Sequence, residues 1–208
     1  MKKVLLMSAL AVAGLFSAQE TEKSEGLKGT WYATAQVGFS QTKTGDSKDS
    51  YFNVLPIVGT FISPDVTVGL AFGYLNYKEQ AGGSTSTDIQ AFAVQPLARK
   101  YWNISGPLYF FGQLAVPLVF GKEKESDLKI SQYGIGASAG LDMVVWKSVS
   151  LEFSYNIANV SVTTLKPTAG DNSTTITNFQ LAHVANDTKG YEQVGLLTPL
   201  SVGVKFLF

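Results

Sequence analysis

Arg99, Asp142, Glu152 and Lys205 are charged residues inside stretches that are otherwise almost uncharged. Two cations and two carboxylates can balance one another, and charge removed from water needs such a partner. Catalysis would need more: a nucleophile with a base beside it. The sequence has a single histidine, His183, in a polar connection with no fixed partner, and no cysteine. One histidine without cysteine makes a poor metal site. Gly134, Gly136 and Gly140 do not form a phosphate cradle, because no helix start follows them. They read as small residues that keep a narrow interior clear. The chemistry on offer is therefore pairing, with no catalytic, cofactor-binding or metal residue.

The elements that must position these charges are strands, since side chains alternate with period two. The last stretch, 196–208, sets Leu196, Leu200, Val202, Val204, Phe206 and Phe208 against Pro199, Ser201, Gly203, Lys205 and Leu207. The first strand sets Trp31, Ala33, Ala35, Val37 and Phe39 against Thr34, Gln36, Gly38 and Ser40. A second runs over about 51–62, apolar on both sides, to a turn at Ser63-Pro64-Asp65. The third alternates from Val66 to Tyr74, the fourth covers about 88–101, and the fifth Leu108–Phe120. The sixth sets Tyr133, Ile135, Ala137, Ala139, Leu141 and Met143 against small polar residues; the seventh covers 149–157. Solvated loops are expected at 41–50, 78–87 and 121–129, and a polar connection of functional length at 159–193. Pro56, Pro96, Pro117 and Pro199 fall inside expected strands, where a missing ladder donor predicts bulges or local irregularity.

Arg99, Asp142, Glu152 and Lys205 share the parity of the small polar face. Each lies three or four residues from a strand end on the side of the short turns, so all sit at similar depth. The spacing predicts an Arg99/Lys205–Asp142/Glu152 network across a narrow interior. A polar core that keeps this interior shut is favoured over a gated path.

Lys2 and Lys3, the apolar run Val4–Phe16 and the small exit Ser17-Ala18 read as a secretory signal peptide over 1–18. Residues 19–28 read as a mobile periplasmic lead-in, and 29–208 as one domain. Without the signal the net charge is about −2, which gives no electrostatic case for nucleic acid. No later stretch is long and apolar enough for a membrane helix.

Eight strands result, joined by alternately long and short connections, as in transmembrane barrels. The short turns follow strands two, four and six, which puts both termini on the periplasmic side. Trp31, Tyr74, Tyr101, Trp102, Phe120, Tyr133, Trp146, Phe206 and Phe208 cluster near strand ends, as interfacial girdles do. A soluble lipocalin-type barrel would carry charge on its outer face, and here the face opposite the apolar one is Gly, Ala, Ser, Thr and Gln.

The signal peptide, PLARKYW (Pro96–Trp102) and the closing SVGVKFLF resemble the small bacterial outer-membrane β-barrel family with an OmpA/OmpX-like eight-stranded domain. Lys100 interrupts the Arg-aromatic pair often found there. The resemblance implies an all-β, eight-stranded antiparallel up-and-down transmembrane barrel in the outer membrane of a Gram-negative cell. It further implies lipid and the barrel insertion machinery as partners, with Phe206 and Phe208 as the assembly signal. A non-enzymatic structural or surface role is expected through long extracellular loops, with 159–193 open to an unknown ligand. A small solute pore is the first alternative; an outer-membrane enzyme is the second and is disfavoured.

Overall fold

The computed structural model describes residues 27–169, 172–181 and 200–208. The signal peptide, most of the lead-in, His183, Leu196 and Pro199 lie outside the described residues. The strands are β1 (Trp31–Thr44), β2 (Ser47–Phe61), β3 (Val66–Ala81), β4 (Ser84–Ser105) and β5 (Leu108–Ala115). They continue as β6 (Leu118–Glu123), β7 (Leu128–Trp146), β8 (Val149–Pro167), β9 (Thr174–Leu181) and β10 (Leu200–Leu207).

Among the described residues ten segments make an eight-stranded wall, because two of its strands are split. β5 and β6 lie end to end between β4 and β7 in unchanged register. β9 and β10 likewise lie along the upper and lower parts of β8. Antiparallel pairing of β1 with β10, and of β10 with β8, closes the ring. Where β1 and β10 pair, closure satisfies amides that would be costly to leave unpaired in lipid; among the described residues β9 pairs with β8 alone.

Pro56, Pro96 and Pro117 meet the expectation as local irregularities of the ladder rather than as bulges. Pairing skips Pro56 between Val54↔Tyr74 and Ile57↔Ala71, yet the register does not shift. Pro96 and Pro117 lose a donor but keep their carbonyls in the ladder: Val116 N–H donates to Pro96 (2.9 Å) and Gly134 N–H to Pro117 (3.1 Å). The register shifts fall elsewhere, at Glu79/Gln80, Asn103/Ser105, Ala137/Ser138 and Val144/Trp146.

The long loops expected at 41–50, 78–87 and 121–129 are instead strand, closed by tight turns at Gly45-Asp46, Gly82-Gly83 and 124–127. Gly45, Gly82 and Gly83 have φ of 59°, 58° and 83°, the left-handed values two-residue hairpins require. The connection at 159–193 is corrected likewise, since β8 runs to Pro167 and β9 covers Thr174–Leu181. A spanning strand needs about 9–11 residues. β4 has 22, so much of it stands above the bilayer.

Chemical sense inverts at that boundary. On β4 the inward residues are Ile89, Ala91 and Ala93 above, then Gln95, Leu97, Arg99 and Tyr101 below, where the polar ones first enter. On β3, Tyr77 and Leu75 face inward above, Ala71 and Thr67 below. Outside, Lys129 and Ser131 of β7 give way downward to Tyr133 and Ile135. Water outside the upper wall drives apolar groups in; lipid outside the lower wall lets polar groups go in.

Aromatic side chains mark the limits of the lipid belt. Tyr74–Phe92 (5.5 Å between ring centroids) and Phe120–Tyr133 (5.9 Å) form the upper band. Trp102–Phe110 (5.5 Å), Trp31 and Trp146 form the lower one. From Phe92 to Trp102 is about 33 Å along the strand and about 25 Å along the membrane normal. Tyr101 departs from the expected girdle: it points inward and is buried.

Candidate functional site: a charge centre in the barrel lumen

The lower lumen gathers Arg99, Asp142, Glu152 and Lys205, each no more than 3% exposed. Asp142 of β7 and Glu152 of β8 are direct cross-strand partners. Like charges so placed repel, so this pair needs cations. Arg99 reaches across from β4, its Nη1 2.7 Å from Glu152 Oε1. Lys205 of β10 pairs with Asp142 and lies 3.6 Å from Glu152 Oε1.

Neighbouring strands supply further polar partners to the cluster, although Arg99 Nη2 and Asp142 Oδ1 are buried without one. Thr34 Oγ1 of β1 donates to Glu152 Oε2 (3.1 Å). Arg99 Nε donates to Gln113 Oε1 of β5 (2.6 Å), and its Nη1 to the Tyr101 hydroxyl (3.5 Å). The guanidinium stacks 5.0 Å from the Phe111 ring centre and 5.9 Å from that of Tyr32. Lys205 Nζ lies 4.8 Å above Tyr101. Ring faces stabilise desolvated cations without adding a counter-charge. Phe61 of β2 packs on Tyr32 and Tyr101, closing the aromatic side.

Glycines make room for those rings. A Cβ on Gly140 would come within 2.5 Å of the Phe111 ring, and one on Gly59 within 2.6 Å of Tyr32. A Cβ on Gly140 would also meet the Phe153 carbonyl, so this glycine serves the packing of β7 on β8 as well as the ring beside Arg99.

The structure brings all four charged residues together and adds Thr34, Gln113, Tyr32, Tyr101, Phe61 and Phe111, which sequence reasoning missed. A usable signal existed for Tyr101, which shares strand and parity with Arg99 two residues away. Phe206 and Phe208 sit at the end of the closing strand. Phe206 pairs with Ala33, and Phe208 exchanges backbone hydrogen bonds with Trp31 (2.9 and 2.8 Å).

Above the centre the lumen has two unlike walls. Leu55, Ile57, Leu75, Ile89 and Val119 line one. The other is polar: Gln132 donates to Ser161 (3.4 Å) and Thr163 (3.0 Å), and Gln36 to Ser154 (3.3 Å). Bulging at Ile157 places Asn156 and then Asn159, Ser161 and Thr163 inward, reversing the parity of β8.

Two carboxylates outside the membrane hold turns. Asp65, in the turn after β2, accepts from Lys100 Nζ and Ser63 Oγ (both 2.9 Å), which hold its pKa below the usual carboxylate value. Glu123, at the top of β6, accepts from the backbone N–H groups of Asp88 (3.3 Å), Glu125 (2.9 Å) and Ser126 (2.5 Å). Burial pushes its pKa up, and these donors outweigh it, leaving the carboxyl below its ordinary value.

A family model described as outer membrane protein beta-barrel domain matches residues 8–185. Among solved structures, the outer membrane protein OprG from Pseudomonas aeruginosa aligns at 14% identity and TM-score 0.52, covering 88% of this chain and 98% of its own. Neisserial surface protein A aligns at 16% identity and TM-score 0.46, covering 87% of this chain and 100% of its own. At such identity the OprG likeness speaks to fold alone. No curated protein matches the chain.

Proposed function

Because the chain belongs to the outer membrane protein beta-barrel domain family, we propose that it acts as a closed, non-enzymatic barrel plugged near its periplasmic mouth. In this reading the short turns face the periplasm and the tall hairpins present a surface to the cell exterior. The observation that carries it is the Arg99–Glu152 pair across the lumen, with Lys205 and Asp142 beside it. An eight-stranded barrel is only wide enough for side chains to fill. A neutral, interlocked set of this kind leaves no charge free to draw an ion through. Purified protein in a planar bilayer should be silent, and Glu152→Gln should open measurable conductance steps. Silence in both, with an unchanged unfolding midpoint, would mean that these charges are not a plug.

A small solute pore is the second reading, favoured by the polar upper wall of Gln36, Ser154, Gln132, Ser161 and Thr163. Steady conductance by the unaltered protein would select it.

Phe206 and Phe208 complete the reading as the signal met by the insertion machinery. Phe208→Ala removes one interfacial ring, about 1–3 kcal/mol by area, which a closed barrel survives. A strong loss of inserted protein in cells with near-normal refolding in detergent is expected. Normal insertion in cells would remove that role.

A further inference from the structure

We infer that Lys122, Lys129 and Lys166 form a docking site on the outer wall for the phosphate groups of an outer-leaflet glycolipid. The three lysines stand side by side on β6, β7 and β8, in direct cross-strand register: Lys122↔Lys129 and Lys129↔Lys166. All three are exposed, and the adjacent Glu123, Ile130 and Leu165 turn inward and are buried, so the lysines face outward. Neighbouring strands lie about 4.8 Å apart, which puts three ammonium stems within about 10 Å. Like charges directly opposite one another are destabilising unless something neutralises them.

Among the described residues, no carboxylate makes an ion pair with any of the three; the nearby lysine that has one is Lys124, with Asp88 (3.4 Å). Glu123, the carboxylate nearest in sequence, is turned inward and held by backbone N–H groups. Glu125 and Asp127 belong to the hairpin tip, farther from the membrane. On the β4 side the row continues with neutral Gln90, the partner of Lys122.

Height selects the occupant. Lys122 is two residues above Phe120, about 7 Å along the strand. Phe120 and Tyr133, in edge contact, are about half exposed, and Val160 and Val162 continue this surface downward on β8. The patch therefore joins an apolar wall suited to acyl chains and a cationic row at headgroup level, where lysine stems snorkel. A phosphorylated glycolipid matches both halves, and an anion free in solution matches only the upper one.

This inference rests on the orientation proposed above, which a membrane-impermeant amine reagent on intact cells tests separately. Labelling of Lys122, Lys129 and Lys166 only after the outer membrane is opened would overturn the orientation and this site with it. For the site itself, the full chain is delipidated in micelles and offered a bis-phosphorylated glycolipid or its dephosphorylated form, with retention read by native mass spectrometry. Unaltered protein should retain the phosphorylated form at least fivefold better, and less well at high salt. K122Q/K129Q/K166Q should abolish that preference, and the triple Lys→Arg variant should keep it. K43Q/K48Q, at another hairpin tip, should leave it unchanged. Heat-modifiable gel mobility reports folding, and Lys129→Gln alone, with at least a twofold loss, replaces a triple variant that does not fold. Equal retention of both lipid forms, full retention by the triple Gln variant, or complete displacement by equimolar inorganic phosphate would each overturn the site. Preferential capture of an acidic peptide over the glycolipid would do the same, assigning the patch to a protein partner.

Discussion

The same strands build two regions of opposite chemistry, the lower barrel in the membrane and the hairpins above it. Below, apolar side chains face out and the interior holds Arg99, Glu152, Asp142 and Lys205. Above, Lys78, Lys122, Lys129 and Lys166 face out, and Tyr77, Ile89, Ile130 and Leu165 face in. What differs is the medium outside the wall. Where lipid is outside, burying an apolar side chain in the lumen gains nothing, and the lumen can hold charged and polar groups that pair with one another. Where water is outside, burial of apolar area is again the driving force, at about 25 cal/mol per Å². The lower region should thus respond sharply to loss of a charge partner, and the upper one far less.

The largest effect is expected at the centre. Glu152→Gln leaves Arg99 without its counter-charge, and breaking a buried pair costs about 3–5 kcal/mol. Arg99→Met alone should be similarly damaging because it strands Glu152. The double variant should recover much of the loss, since it removes both charges and leaves neither member of the pair stranded. Urea unfolding in lipid or detergent gives the coupling, and strictly additive losses would break the comparison at its strongest point. The exposed Lys124–Asp88 pair is the control; Lys124→Ala should change stability by about 0–1 kcal/mol.

A smaller loss is expected when the charge centre is disturbed through packing. Gly140→Ala sets a methyl against the Phe153 carbonyl of β8 and against the Phe111 ring on which Arg99 stacks. Overpacking of a tight interior typically costs about 1–3 kcal/mol. Gly82→Ala strains only a hairpin turn with open space around it, and should lower global stability less. A greater fall in unfolding midpoint for Gly82→Ala would reverse the ranking of the two regions.

This division also explains what could be read from the chain alone. In the lower region the rare charges and the clean alternation of Val66–Tyr74 and Val202–Phe208 reveal the outer face, and with it the parity of Arg99 and Lys205. In the upper region the apolar residues are inside, and the face that would mark a membrane strand carries Lys, Gln, Ser and Thr. A search for lipid-facing alternation therefore reads 78–87 and 121–129 as loops. β8 adds a second obstacle. The extra residue at Ile157 flips the parity, so Ser161 and Thr163 seem out of phase with Glu152 although both sets face the lumen. The position of Tyr101 near a strand end suggests a girdle, whereas its parity with Arg99 places it inside.

The smallest global effect is expected at Glu123, which sharpens the comparison from the upper side. Its carboxylate bonds three backbone N–H groups and shapes the 124–127 tip. Because those donors hold its folded pKa below the unfolded value of about 4.3, the ionised group stabilises the folded tip at neutral pH. That contribution stays whole above the unfolded pKa and is lost as pH falls through the lower folded value. Hydrogen bonds to a charged group are worth about 1.5–3 kcal/mol, but here they close one hairpin, and the barrel below need not open with it. Glu123→Gln keeps a neutral acceptor and removes the charge. Amide exchange at Glu125 and Ser126, corrected for intrinsic rates, should accelerate in the variant at pH 7 with the global midpoint nearly unchanged. In the unaltered protein the same two amides should lose protection on acidification below about pH 4, and in the variant they should not. Equal protection in both proteins at both pH values would show that the tip is held by its backbone turn alone. A fall in global midpoint as large as that of Glu152→Gln would show that the hairpins and the barrel unfold as one unit.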